Sequence, residues 1–93
     1  MFERILIRLR EKVRKNEYVV TAHARKEMND EDLSVFDLES GILTGEILER
    51  QKDRVTAEWK YRVKGKTIAG DEIELIAKFS PTGKLVIITV YEP

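Results

Sequence analysis

His23, the one histidine of the chain, lies four residues before Glu27 in the stretch Thr21-Ala22-His23-Ala24-Arg25-Lys26-Glu27-Met28. If the stretch is helical, the two side chains share a face, because residues four apart are neighbours on successive turns. Thr21 is placed to cap such a helix, which would run from about Ala22 to Asn29 with Ala24 and Met28 facing a core. His23 then stands in the first turn, where the helix dipole and nearby Arg25 and Lys26 disfavour the imidazolium. An imidazole that can accept a proton, oriented by a carboxylate, is what general-base chemistry needs. A histidine there serves equally well to bond a backbone group at a strand-to-helix junction, and residue type alone leaves both readings open.

Two further groups carry chemistry. Lys60, Arg62 and Lys64 alternate along one stretch, and Lys78 falls beside them if the next stretch pairs with it. On one sheet face these cations would hold a phosphodiester and stabilise charge developing at phosphorus. The bland counterpart is a solvated face, its cations offset by Glu58, Glu72 and Glu74. Thr89 and Tyr91 end an apolar run with polar tips, and a tyrosine at an open sheet end can stack on a base or donate a proton. It can also be a boundary aromatic with a wet hydroxyl. Trp59 and Tyr61 read as core. No phosphate-cradling glycine motif, nucleophile elbow or paired-cysteine site occurs, and one histidine among scattered carboxylates makes a poor zinc site, so neither metal nor cofactor is expected.

The elements that must position these groups follow from periodicity. Leu85-Val86-Ile87-Ile88-Thr89-Val90-Tyr91 is β-branched and aromatic, and apolar on both faces as far as Thr89. That pattern suits a strand covered on both sides or internal to its sheet. Phe2, Ile5, Leu6, Leu9 and Val13 form the stripe of an N-terminal helix. Its other face carries Arg4, Arg8, Arg10, Lys12, Arg14 and Lys15 against Glu3 and Glu11, which reads first as a solvated surface and second as a basic grip on RNA or an acidic partner.

Tyr18-Val19-Val20 is a short extended segment that could pair with the last strand. Leu33 to Leu43 reads as a helix capped by Ser34, with Asp37 in the capping-box position and Leu33 against Leu38 as a staple. Gly45 ends it in the left-handed conformation that glycine accepts. Residues 29 to 49 contain seven acidic side chains and no basic one, so the chain is polarised in charge. Strands then follow over Glu46–Gln51, Thr56–Lys64, Glu72–Ser80 and Leu85–Tyr91. In the second, Ala57, Trp59, Tyr61 and Val63 face inward. Residues 65–71 connect the second to the third, and Ser80-Pro81-Thr82-Gly83 is a tight turn.

The expected fold is α+β. N-terminal helices (residues 1–45) pack on a four-stranded antiparallel sheet (46–92), with a short extra strand at 18–20, in a single domain over 1–93. Ninety-three residues are enough for one core. The formal net charge of zero, with 37% of residues charged, argues against a generic nucleic-acid coat but leaves room for a local basic site. The chain has no cysteine, no stretch of membrane-span length and no signal-peptide core, as expected of a cytoplasmic protein.

In their order and spacing, several motifs resemble the domain-of-unknown-function 4258 family. They are His23-Ala24 with Met28, Leu43-Thr44-Gly45-Glu46-Ile47, Trp59-Lys60-Tyr61, Ser80-Pro81-Thr82-Gly83 and Ile88-Thr89-Val90-Tyr91. The resemblance spans about residues 18 to 92 and is nearest to the small stand-alone bacterial branch. Many relatives carry an arginine where this chain has Glu27. The resemblance implies a layout similar to metal-independent ribonuclease toxins of type II toxin–antitoxin pairs, with a zinc-ribbon, helix-turn-helix antitoxin as partner. It implies RNA, free or on the ribosome, as the target. His23, Thr89 and Tyr91 would be catalytic, and Arg25, Lys60, Arg62 and Lys78 would contact phosphate. The rival expectation is a non-enzymatic module that acts by protein–protein recognition, with a structural His23.

Overall fold

The computed structural model describes residues 1–93. Helix α1 (Glu3–Arg14) is followed by strand β1 (Tyr18–Val20), helices α2 (Ala22–Asp30) and α3 (Val35–Thr44), and strands β2 (Glu46–Lys52), β3 (Trp59–Lys66), β4 (Glu72–Phe79) and β5 (Leu85–Tyr91). The sheet runs β1-β5-β4-β3-β2, with β1 parallel to β5 and every other pair antiparallel. This is the expected α+β layout, and the extra strand makes it a five-stranded mixed sheet.

The apolar periodicities meet on one side of the sheet. Leu9 and Val13 of α1, Ala24 and Met28 of α2, and Leu38 and Ile42 of α3 join Val63, Ile73, Leu75, Ala77, Leu85, Ile87 and Val90 in one cluster. Each fully buried aliphatic side chain there contributes about 1.5–3 kcal/mol over leaving it exposed. Internal placement between β1 and β4 explains why β5 is apolar on both faces, and a bulge refines its pattern. Ala77 pairs with Ile87 but Ile76 with Thr89, so Ile88 is the extra residue. The shift of phase returns Val90 to the core, where it is fully buried, and turns Thr89 to the outer face beside Ile76.

β1 covers only the first half of the edge of β5, and α2 takes over from there. The Thr21 N–H donates to the Ile87 carbonyl at 3.1 Å, and the Thr21 hydroxyl to the Ile88 carbonyl at 3.2 Å. Glu27 Oε1 accepts the Val90 N–H at 3.2 Å, and Glu31 Oε2 accepts that of Glu92 at 2.6 Å. Side chains thus finish a ladder that the short strand leaves open. Thr21 also caps α2 by accepting from Ala24, and Ser34 and Asp37 form the capping box of α3.

Four expectations need correction. Gly45 is extended (φ −89°, ψ 178°), not left-handed. Glycine is required there by contact instead, since a Cβ would strike the Gly41 carbonyl oxygen and stand 2.8 Å from that of Lys64. Gly65 belongs to β3 and not to the following connection: a Cβ on it would collide with the Gly41 carbonyl group, so glycines on both elements let α3 lie directly on the strand. Ala57 does not face inward. It is exposed at φ 60° in the turn before β3, where Asp53 accepts the N–H groups of Val55 and Thr56 and holds the chain out of the sheet. Trp59 is also 41% exposed, while Tyr61 is buried as expected.

Candidate functional site

α2 carries His23 to the C-terminal end of β5. The His23 Nε2 lies 3.3 Å from Glu27 Oε1, the same oxygen that accepts the Val90 N–H. One carboxylate therefore ties the imidazole to the strand backbone between Thr89 and Tyr91. The histidine side chain is 69% exposed and open to solvent. The i,i+4 contact follows from helical spacing. That Glu27 also covers a strand edge does not, because its partner is 63 residues away in the chain.

Tyr91 faces the opposite side of the sheet from the helices, next to Glu74 across the β4–β5 ladder. Burial and the adjacent Glu74 carboxylate push its phenol above the ordinary range, while Arg62 opposes them. Arg62 in turn donates to Glu74 at 2.7 Å and to Glu49 at 3.1 Å. Ile76 pairs with both Thr89 and Arg62, so Thr89 and Arg62 lie in one row across the outer face. Thr89, Tyr91 and Arg62 thus share the outer face of the sheet, while His23 stands on α2 at the edge of β5.

The other candidates lie elsewhere. Lys60 pairs with Asp53 at 3.6 Å and Lys78 with Glu58 at 3.3 Å, toward the opposite end of the strands. Lys64 is paired with Glu72 at 2.5 Å. Arg25 lines a depression of about 450 Å³ with Asn16, Tyr18, Val19, Val20 and Val35, beside β1. It is two residues from His23 and so points to a different side of α2. The other depressions, of about 440 and 360 Å³, flank Gly45–Gly65 and the start of α1, and of the candidates only Lys64 lines one of them, the first. Asp53 and Glu49 are participants that sequence alone did not single out. Glu49 becomes visible once β2 is registered on β3, where it stands opposite Arg62.

Three helices on one face of a five-stranded mixed sheet, with a histidine–carboxylate pair at the end of the last internal strand, define a small α+β domain with one exposed acid–base candidate. The model of the family described as Domain of unknown function (DUF4258) matches residues 20–92, so the chain belongs to that family. The matched stretch takes in α2, α3 and strands β2 to β5 and leaves α1 outside. No curated protein and no solved structure matches the chain.

Proposed function

We propose that this protein is a metal-independent endoribonuclease, the toxin of a type II toxin–antitoxin pair. The observation that carries the reading is the shared Glu27 oxygen, which presents an exposed His23 at the strand end that bears Thr89 and Tyr91. In this reading His23 takes the proton of a ribose 2′-hydroxyl, and the 2′-oxygen attacks the adjacent phosphorus. The bond from phosphorus to the 5′-oxygen breaks, leaving a 2′,3′-cyclic phosphate and a 5′-hydroxyl. Tyr91, held protonated by its surroundings, is the donor to the departing 5′-oxygen. Arg62, next to Tyr91 and Glu74, stabilises charge on the phosphorane, with Thr89 as a neighbouring hydroxyl and Arg25, Lys60 and Lys78 as outer phosphate contacts. The antitoxin partner, with a zinc ribbon and a helix-turn-helix domain, follows from the family resemblance.

One observation favours a second reading, a binding module without catalysis. Lys60, Arg62, Lys64 and Lys78 are each ion-paired to carboxylates of the same domain. A cation already held by a carboxylate takes phosphate only by giving up that pair. A single experiment separates the readings: mixed-sequence RNA incubated in EDTA with wild type, His23→Ala and Tyr91→Phe, with and without ribosomes. The ribonuclease reading expects cyclic-phosphate ends from the wild type and a loss of 10²-fold or more in His23→Ala, about the usual share of a general base. An inactive wild type under both conditions rejects it in favour of the binding module, and an undiminished His23→Ala rejects His23 as its base.

A further inference from the structure

Three positive charges without carboxylate partners, Arg8, Arg50 and Lys52, lie on the helix side of the sheet. The Arg8 guanidinium of α1 sits 3.9 Å over the Phe79 ring. Phe79 meets Tyr61 edge-on at 6.4 Å. Arg50 stands opposite Tyr61 in the β2–β3 ladder, and its guanidinium lies 4.2 Å over Trp59. Lys52, opposite Trp59, places its ammonium 5.6 Å from the same ring. These groups run from the middle of α1 across the ends of β4, β3 and β2, with Arg8 on Phe79 and Arg50 and Lys52 on Trp59 flanking the buried Tyr61. Arg8, Arg50 and Lys52 are exposed, and none takes part in the ion pairs of the molecule.

We propose that this strip is a contact surface for single-stranded nucleic acid, separate from the candidate catalytic end of β5. Unpaired cations attract phosphate without first breaking an ion pair, as those of the outer face must. Trp59 and its flanking guanidinium offer flat faces on which bases stack, and every base has such a face. An acidic polypeptide would use the charges but leave the rings idle, so the interleaving of rings and cations favours nucleic acid. A duplex hides its base faces and would meet only the cations. Binding here requires neither His23 nor cleavage, so the inference stands independently of the ribonuclease reading.

Trp59 is the sole tryptophan of the chain, so its fluorescence reports on the strip alone. The test titrates a 2′-O-methyl RNA 12-mer, which binds without offering a 2′-hydroxyl for cleavage, into wild type and into an Arg50→Gln, Lys52→Gln double variant. Single-stranded DNA, the duplex form of the RNA and polyglutamate serve as comparison ligands. Saturable quenching of Trp59 by either single strand is expected, weakened about tenfold or more in Kd by the double variant, since one stacked base and its phosphate contacts are worth that much. The dependence of log Kd on log salt should also become shallower by about 0.7 for each phosphate that the variant no longer neutralises. Circular dichroism checks that the double variant is folded, and Trp59→Phe with a labelled strand provides a second reading of affinity. No quenching, equal affinity of the double variant, or equal quenching by polyglutamate or duplex overturns the proposal. The polyglutamate result would assign the strip to an acidic protein partner.

Discussion

Glu27 does two jobs with one oxygen, and the two can be separated by substitution. It accepts the N–H of Val90, a fully buried strand residue, and it lies against His23. Removing an acceptor from a buried amide costs about 1–3 kcal/mol. Glu27→Ala should therefore lower the unfolding free energy by about that amount in urea titrations. Glu27→Gln keeps an acceptor oxygen and should lose less than half as much. Equal losses in the two variants would mean that the carboxylate charge, and not the edge contact, is what stabilises.

At the level of elements, the decisive contact is α3 on β3. Gly41 of the helix and Gly65 of the strand allow backbone to approach backbone, and Gly45 completes the close turn into β2. Ser40 and Thr44 hydroxyls then reach the Lys66 carbonyl at 2.7 and 3.4 Å, and Arg10 donates to the Gly45 carbonyl at 2.9 Å. Gly65→Ala puts a methyl group into the Gly41 carbonyl, where no flexible side-chain end can give way. It should destabilise by about 1–3 kcal/mol, the usual range for overpacking, or prevent folding. Gly70→Ala is the control for reduced chain flexibility: no atom lies within 4 Å of its added methyl group, and only the positive φ of 91° is strained. A Gly65→Ala protein as stable as wild type would show that α3 can lift from the strand at no cost. His23 sits on a different helix, so a folded Gly65 variant should retain whatever activity His23 confers.

Over the whole molecule, phenols link the parts. The Tyr18 hydroxyl of β1 donates to Glu39 of α3 at 2.5 Å, and Tyr91 of β5 stands beside Glu74 of β4. Burial, and then the carboxylate neighbour, raise both phenols above their unfolded value. The native state therefore keeps protons that the unfolded chain releases. The resulting stability is fully present below about pH 10 and is lost as pH rises past it. Unfolding free energies between pH 8 and 11 should fall more steeply for wild type than for Tyr18→Phe or Tyr91→Phe. Parallel curves would show that the phenols ionise alike in both states. The molecule is also divided electrostatically, which zero net charge conceals. Lys60, Arg62, Lys64 and Lys78 of the outer face are neutralised pair by pair, whereas Arg8 and Arg50 on the helix side lie against rings without a carboxylate partner.

Elements whose signals are local were legible in the chain. The stripe of α1, the Thr21 and Ser34 caps, the alternation of β3 and β4 and the apolar run of β5 each depend on residues within about two turns or one strand, and the structure has them where spacing places them. The i,i+4 relation of His23 to Glu27 is of the same kind. What only tertiary structure decided are relations between residues far apart. Gly65 reads locally as a breaker, yet it is a strand residue because Gly41 lies over it. Ala57 fits the alternation, yet Asp53 holds it in a turn. Thr89 leaves the core through a bulge set by its pairing with Ile76. The partners of Lys60, Arg62 and Lys78 were likewise fixed by register and by turns, and so was the meeting of Arg50 with Trp59. Periodicity encodes which face a side chain occupies; which groups meet across that face depends on how strands align and helices dock, and those are settled by packing the whole core at once.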